Sequence, residues 1–370
     1  VGFVKLPPRW SAALHGGFAP CKRTLLEFKA ARHAAGPFVR LRIPVVERPP
    51  AAGVDPVGFS VVRLRKRDPR SLAIEADGDW LRTRSGFSTL WRRLGVFVDL
   101  VSDTAVPAGE WAADLGDRVT VEGPLLGFCS NFRQTLLVPD RGFFASRGYA
   151  RQRRQAAAAP PFDDRDGAIL WRGSPSGIGA VFKPGMDPAD PGLRQRVRMC
   201  LLLREAAPAL AADGGVDVRI MGGSNLAADP AAHAALAGIL GPPVPQASWS
   251  RRKFAIDIDG NANAFSNLFI RLVYGCCVIK VDSPCGFRQW YYDDLRPWEH
   301  FIPVAADLSD IVEKIAWCRR HPAECRAVAR AGQSLALSMT MDRERSRAIA
   351  SLLAQVPHGN ANSQAPATTG

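Results

Sequence analysis

Between residues 253 and 281 an apolar run, KFAIDID, leads through a short polar loop into an amphipathic stretch, AFSNLFIRLVYG, and then into a second apolar run, CCVIKV. A strand, a helix and a strand in such close succession make the βαβ unit of a parallel sheet. The alternation extends in both directions. AILWRG (168–173) and VDVRIMGG (216–223) read as strands, and LRQRVRMCLLLREAAPAL (193–210) reads as the helix between them. DLSDIVEKIAWCRR is expected to be a helix capped at Asp307 or Ser309, with Leu308, Ile311, Val312, Ile315 and Ala316 on its apolar face. The expected class is therefore α/β.

A chain of 370 residues exceeds what one hydrophobic core usually organises, so two domains are expected. In the first part, FVRLRIPVVE, FSVVRLRK, SLAIEA, GVFVDLVSD and VTVEG are short β-branched runs that suggest a β-rich mixed domain. The segment RGYARQRRQAAAAPPFDDRDG reads as a helix followed by a connection, which puts the boundary near residue 160. The domains are then 1–160 and 161–350, with a disordered tail over 351–370 that ends in the small polar run GNANSQAPATTG.

The net charge of +13 is concentrated early, because residues 1–100 hold 18 Lys and Arg against 8 Asp and Glu. Clusters such as RLRKR (63–67) and Arg92–Arg93 suit an anionic partner: a membrane surface, a phosphorylated glycolipid or nucleic acid. No nucleic-acid motif or aromatic stacking platform accompanies them, so nucleic acid is not expected. The eight cysteines show no disulfide framework, and buried reduced thiols are expected. Cys318, His321 and Cys325 lack a fourth ligand and the usual zinc spacing, so no metal site is expected. With no secretory pattern and no long apolar span, the expected location is the cytoplasm, at the inner face of the cytoplasmic membrane.

Ligands of open α/β sheets collect where strands end and loops lead into helices. Two loops here qualify. WRGSPSG offers Arg172 as a cationic fork, with Gly173, Ser174 and Gly177 letting backbone N–H groups approach an anion. AIDIDGNANAFSN places Asp257 and Asp259 on one side of a strand and turns at Gly260 into a helix beginning near Ala264. That helix terminus favours a phosphate or ribose over a cation. The carboxylates could bind sugar hydroxyls or satisfy neighbouring backbone.

Residues 251–318 carry VIKVDSP, YYDDLRPWEHFIPV and DLSDIVEKI after the Asp259–Gly260 turn. With LWRGSPSG and VPDRGFFASRGYA upstream, they resemble glycosyltransferase family 90, over roughly residues 95–340. The family includes protein O-glucosyltransferases, capsule-associated xylosyltransferases and bacterial lipopolysaccharide-modifying proteins.

That resemblance implies a GT-B architecture, two Rossmann-like domains facing each other across a cleft, with a UDP-sugar held mainly by the second and the acceptor met by the basic first. It implies inversion without an obligatory metal or any cofactor, so a manganese-binding Asp-x-Asp is not expected at 257–259. The base is expected at Asp103 in VDLVSDTAVP, at the end of a strand, with Asp99 and Asp140 as competitors. The donor site is expected to comprise Arg172, Gly173, Ser174, Asp259, Gly260, Asn261, Asn263 and Lys280. Ser266 stands where the family often has an arginine. Trp290 and Trp298 are expected to pack beneath the site and His300 to bond locally. The expected donor is UDP-glucose or UDP-xylose, and the acceptor a hydroxyl of a bacterial surface glycan or glycolipid such as lipopolysaccharide or a capsule precursor. Two other readings remain: a catalytically silent glycan- or nucleotide-sugar-binding protein, and a basic nucleic-acid-binding protein.

Overall fold

A computed structural model describes residues 25–27, 29, 45–48, 60–68, 71–183, 185–187, 189–222, 234 and 236–355. The chain divides into two compact units. One comprises Val1–Ala52, Val62–Ala113 and Arg343–Gly370, and the other Gly53–Val61 with Asp114–Asp342. Residues 114–160, expected with the N-terminal domain, thus fall in the second unit. Phe143 and Tyr149 account for the difference, since both are buried in the aromatic core around Phe269 and Trp290.

In the first unit, strands β1 (Val45–Arg48), β2 (Val61–Asp68), β3 (Ser71–Asp77) and β4 (Gly109–Asp114) lie in the order β1-β3-β2-β4. The β1–β3 pair is parallel and β3–β2 antiparallel, so the sheet is mixed. Along β2 the side chains alternate: Val62, Leu64 and Lys66 are buried while Arg63 and Arg67 face outward. Arg65 pairs with Glu75 and Glu110, and Arg63 with Glu110, so much of the RLRKR charge is neutralised inside its own sheet.

The run GVFVDLVSD, expected as a strand, instead forms the second half of helix α1 (Arg84–Val101). Buried Gly86, Leu90, Leu94, Phe97, Val98 and Val101 recur at the helical period, and the Thr83 side chain caps the N-terminus by accepting from the Gly86 N–H. Helical periodicity over eighteen residues outweighs the strand-like look of residues 95–101, and Ser102 and Asp103 lie beyond the helix. VTVEG is not a strand either; Val119 is buried as a loop residue instead.

The second unit is built on helices α2 (Arg141–Ala145) and α3 (Ala150–Ala157) and a six-stranded sheet. Its strands are β5 (Asp166–Gly173), β6 (Val216–Met221), β7 (Leu240–Gly241), β8 (Arg252–Asp257), β9 (Cys277–Val281) and β10 (Ile302–Val304). All neighbours pair in parallel, in the order β10-β9-β8-β5-β6-β7. This is the doubly wound Rossmann order, in which the chain reverses direction between β5 and β8. Helix α4 (Gln195–Glu205) follows β5, α5 (Ser266–Val273) joins β8 to β9, and α6 (Ile311–Arg320) follows β10. Helices α7 (Pro322–Ser338) and α8 (Met341–Gln355) complete the chain as described.

Both faces of the sheet are covered, as all-parallel sheets require. Ile169, Phe254, Ile256 and Ile279 pack with α4 and α6, while Leu170, Ala255 and Val278 pack with α5 and an aromatic cluster. Helix α6 begins after Asp310 rather than at Asp307 or Ser309. The Asp307 carboxylate accepts from the Ser309 N–H and hydroxyl in a turn that precedes the helix, and Asp310 accepts from the Ala305 N–H. The expected tail over 351–370 is helical to residue 355, and its remainder lies outside the described residues.

Candidate functional site

The two loops singled out in the sequence leave the sheet side by side. Ala255 of β8 is in register with Leu170 of β5, so the ends of both strands, at Asp257 and Gly173, open on the crevice where the strand order reverses. Parallel strands bring their carboxyl ends, and hence their outgoing loops, to one edge.

Arg196, which was absent from the expected site, joins these loops. It is buried in the first turn of α4, and its Nε donates to the Asp259 carbonyl (2.8 Å). Nη2 donates to the Ile258 carbonyl (3.1 Å) and Nη1 to the Ser176 hydroxyl (3.0 Å). A Cβ at Gly260 would lie 2.9 Å from both Arg196 Nη2 and Ser176 Oγ, so a side chain there would press on this contact. Asn261 ties the same loops from above, its Oδ1 accepting from the Gly177 N–H (3.1 Å), while Arg118 Nη1 donates to its carbonyl (3.3 Å). Gly177 has φ +142°, which favours glycine. The Ser174 and Ser176 hydroxyls lie 2.9 Å apart.

The aspartates differ from expectation. Strand β8 ends at Asp257, so Asp259 belongs to the loop and the two do not share one face of a strand. Asp257 lies on the α5 side and Asp259 beyond the strand end, and both carboxyls are buried. Asn263 Nδ2 donates to Asp259 Oδ1 (3.2 Å) and the Phe287 carbonyl (3.1 Å), and its own Oδ1 accepts from Cys129 (2.8 Å). Every polar atom of the Asn263 amide is therefore engaged in shaping the turn. Burial pushes the Asp259 pKa up, against Ser283, Lys280 and Arg196, which pull it down. Burial pushes that of Asp257 to about 6, opposed by Lys280, Arg196 and Arg271.

At the ends of β5 and β8 lies a cavity of about 30 Å³, lined by Arg172, Gly173, Arg196, Trp249, Asp257 and Arg271 among others. It has room for a water molecule and not for a nucleotide. Asp257 Oδ2 and Arg271 Nη1, both buried, have no protein hydrogen-bond partner. The Arg271 guanidinium sits 3.5 Å over the Trp249 ring, and burial lowers its pKa to about 10.

Arg172 is held on the β6 side of this cavity. Its Nη2 donates to Asp217 Oδ2 (2.7 Å), Nη1 to the Asp217 and Trp171 carbonyls (2.8 and 2.9 Å) and Nε to the Pro242 carbonyl (3.1 Å). The Asp217 carboxyl is pushed up by burial but held below the usual range by Arg172 and Arg219. Lys280, the penultimate residue of β9, is buried, with Nζ 5.0 Å from the centre of the Tyr292 ring. It lines a separate cavity of about 330 Å³ with Asp282, Ser283, Phe287, Arg288 and Tyr292.

The three candidate bases fare differently. Asp140 is buried at the N-terminus of α2, where its carboxylate accepts from the Gly142 and Phe143 N–H groups and the Tyr149 hydroxyl. That is a complete structural role. Asp99 and Asp103 both belong to the first unit and share Arg345, whose Nε and Nη1 donate to them at 2.7 and 2.9 Å. Asp103 follows a helix, not a strand, and Oδ1 also accepts from the Ala105 N–H (3.0 Å). Burial works to raise its pKa, but the Ala105 N–H, Arg345 and Lys66 outweigh it, so the carboxyl ionises below its usual range.

Trp290 packs among Phe143, Phe269 and Tyr291, as a core aromatic. Trp298 is exposed and edge-on to Trp317. His300 accepts from the Arg296 N–H on Nδ1, a local bond. The described cysteines are free, and Cys277, Cys318 and Cys325 meet in the core. His321 stacks on Trp317. Among the described residues no group of three or more His, Cys, Asp or Glu side chains is arranged to hold a metal ion, and no helix is long and apolar enough to cross a membrane.

Comparison with known proteins reaches the second of the two loops, Asp257–Asn263. Residues 243–346 match Glycosyl transferase family 90. Protein O-glucosyltransferase 2 of Danio rerio is 35% identical over 106 residues, which are 28% of this chain and 21% of that protein. Uncharacterized protein 035R of Invertebrate iridescent virus 3 is 42% identical over 80 residues, 22% of this chain and 7% of its own length. The chain thus spans between 7% and 21% of these two relatives. The crystal structure of Anabaena Alr3699/HepE in complex with UDP-glucose covers 56% of this chain with 52% of its own, at 11% identity and a TM-score of 0.33.

Proposed function

We propose, from the premise that residues 243–346 are a glycosyl transferase family 90 segment, that this protein is an inverting glycosyltransferase drawing on a UDP-sugar. The observation that carries the reading is the convergence of the Gly173–Gly177 and Asp257–Asn263 loops on the switch point of a parallel sheet, the second of them inside the matched segment. The name of the relative from Danio rerio, a protein O-glucosyltransferase, favours glucose as the transferred sugar. Xylose is the second choice, and a hydroxyl of a bacterial surface glycan or glycolipid is the acceptor.

In this reaction the acceptor oxygen attacks the anomeric carbon as the bond to the diphosphate oxygen breaks. The acceptor proton passes to a carboxylate and the leaving charge to cations and N–H donors. Asp103 is the proposed base. Arg172, with the Gly173 and Ser174 N–H groups, is the proposed diphosphate grip, and Lys280 adds positive charge. Asp259, Gly260, Asn261 and Asn263 shape the nucleotide pocket. Asp103 is held ionised by the Ala105 N–H, Arg345 and Lys66, contacts that also make it a weaker base.

UDP release in the presence of glycan acceptors tests the reading on wild type, Asp103→Asn and Arg172→Ala. Loss of a positioned base is expected to slow turnover about a hundredfold or more. Unchanged turnover in Asp103→Asn removes that residue from the role, and UDP binding with no transfer to any acceptor points to a catalytically silent binding protein.

A further inference from the structure

The first turn of α4 makes an unusual set of contacts for a helix start. Arg194 is its N-cap residue and Arg196 the second residue in the helix, yet cations there oppose the helix dipole. The carbonyls they meet explain them. Arg194 Nη1 donates to the Pro175 carbonyl (3.0 Å), in the loop after β5. Arg196 reaches the loops after β5 and β8, through Ser176, Ile258 and Asp259. Gln195 Nε2 donates to the Ala306 carbonyl after β10 (2.7 Å) and toward the Asp282 carbonyl after β9 (3.4 Å). Three consecutive side chains thus bond to the loops that leave β5, β8, β9 and β10.

We propose that Arg196 is the positioning residue of this site: its guanidinium fixes the spacing of the β5 and β8 loops so that their N–H groups present one preformed cradle to a diphosphate. The inference rests on the reading above and deepens it. Arg196 is buried and its three nitrogens meet both loops at once, whereas Arg172 bonds to Asp217, Trp171 and Pro242, so the spacing of the loops falls to Arg196. A planar fork is needed to meet two consecutive carbonyls and a hydroxyl on another loop at once, and a lysine ammonium cannot span that arrangement. Gly260 accommodates the guanidinium from the other side.

The test compares calorimetric binding of UDP and of uridine to the full chain. Arg196→Lys is expected to weaken UDP about tenfold while uridine changes by less than about twofold. Ser176→Ala removes the β5-loop acceptor without burying a charge, and is expected to weaken UDP about threefold. Because both changes cut the same bridge, the double variant is expected to bind UDP no more weakly than Arg196→Lys alone. Equal losses for UDP and uridine reduce Arg196 to a general structural role and overturn the proposal, as do additive losses in the double variant or unchanged UDP binding in both single variants. Wild-type protein that fails to bind UDP removes the transferase reading and this inference together. Wild-type binding with unaffected variants removes the inference alone.

Discussion

Asp257 is an acid enclosed by a sheet and by helix α5, with one oxygen that no protein donor reaches. Its pKa of about 6 exceeds the ordinary 3.8, so the folded state holds its proton more tightly than the unfolded chain. Stability from that proton is complete below about pH 4 and falls as pH rises through about 6, by on the order of 2–3 kcal/mol. Asp257→Asn is expected to flatten this segment of a stability-versus-pH curve measured by urea denaturation; a slope unchanged by the substitution refutes the assignment. The pairing of aspartates around Ile258 was visible in the sequence, but their separation into strand end and loop was not. Alternation cannot reveal where a strand stops. Arg196 escaped notice for a related reason: LRQRVRMC reads as one more amphipathic helix, and its polar start finds partners in loops distant in sequence. The one local signal was two arginines at a helix N-terminus, where charge alone disfavours them.

Helix α1 and the final helix α8 are joined in the first unit by Arg345, which holds Asp99 and Asp103. Arg345→Gln is expected to raise the Asp103 pKa toward its ordinary value, seen by carboxyl-resolved NMR titration, and to destabilise by about 1 kcal/mol, since the three side chains are partly exposed. A titration identical to wild type refutes the coupling. Helix α7 offers a second test. Gly332 approaches the His300 carbonyl so closely that a Cβ would lie 2.7 Å from it and 2.9 Å from Leu272 Cδ2. Gly332→Ala is expected to cost about 1–3 kcal/mol in denaturation midpoint experiments, despite the better helix propensity of alanine. In the second unit β5, β6, β8 and β9 and helices α4, α5 and α6 were legible, because strand runs and amphipathic helices alternate there; β7, β10 and α7 were not read from the sequence. In the first part GVFVDLVSD misled, because a short apolar run satisfies strand and helix patterns alike. Only the longer stretch back to Thr83 distinguishes them.

For the whole molecule, the second unit carries both proposed nucleotide loops, so a nucleotide is expected to stabilise it selectively. UDP at a hundredfold excess over its dissociation constant should raise the unfolding free energy of this unit by about 2.7 kcal/mol, read as an upward shift of its calorimetric transition. No shift at saturating UDP contradicts the assignment. The α/β class and the presence of two units were legible from length and alternation. The assignment of residues 114–160 was not, since it depends on Phe143 and Tyr149 finding aromatic partners more than a hundred residues away. The strand order has one more consequence, for how the protein is made. The central strand β5 lies between β6 and β8, yet β8 leaves the ribosome about eighty residues after β5. For several seconds of synthesis, at about ten residues per second, the nascent sheet carries an open seam at its middle rather than at its rim. Chaperone dependence during translation should therefore centre on the interval before Arg252 emerges.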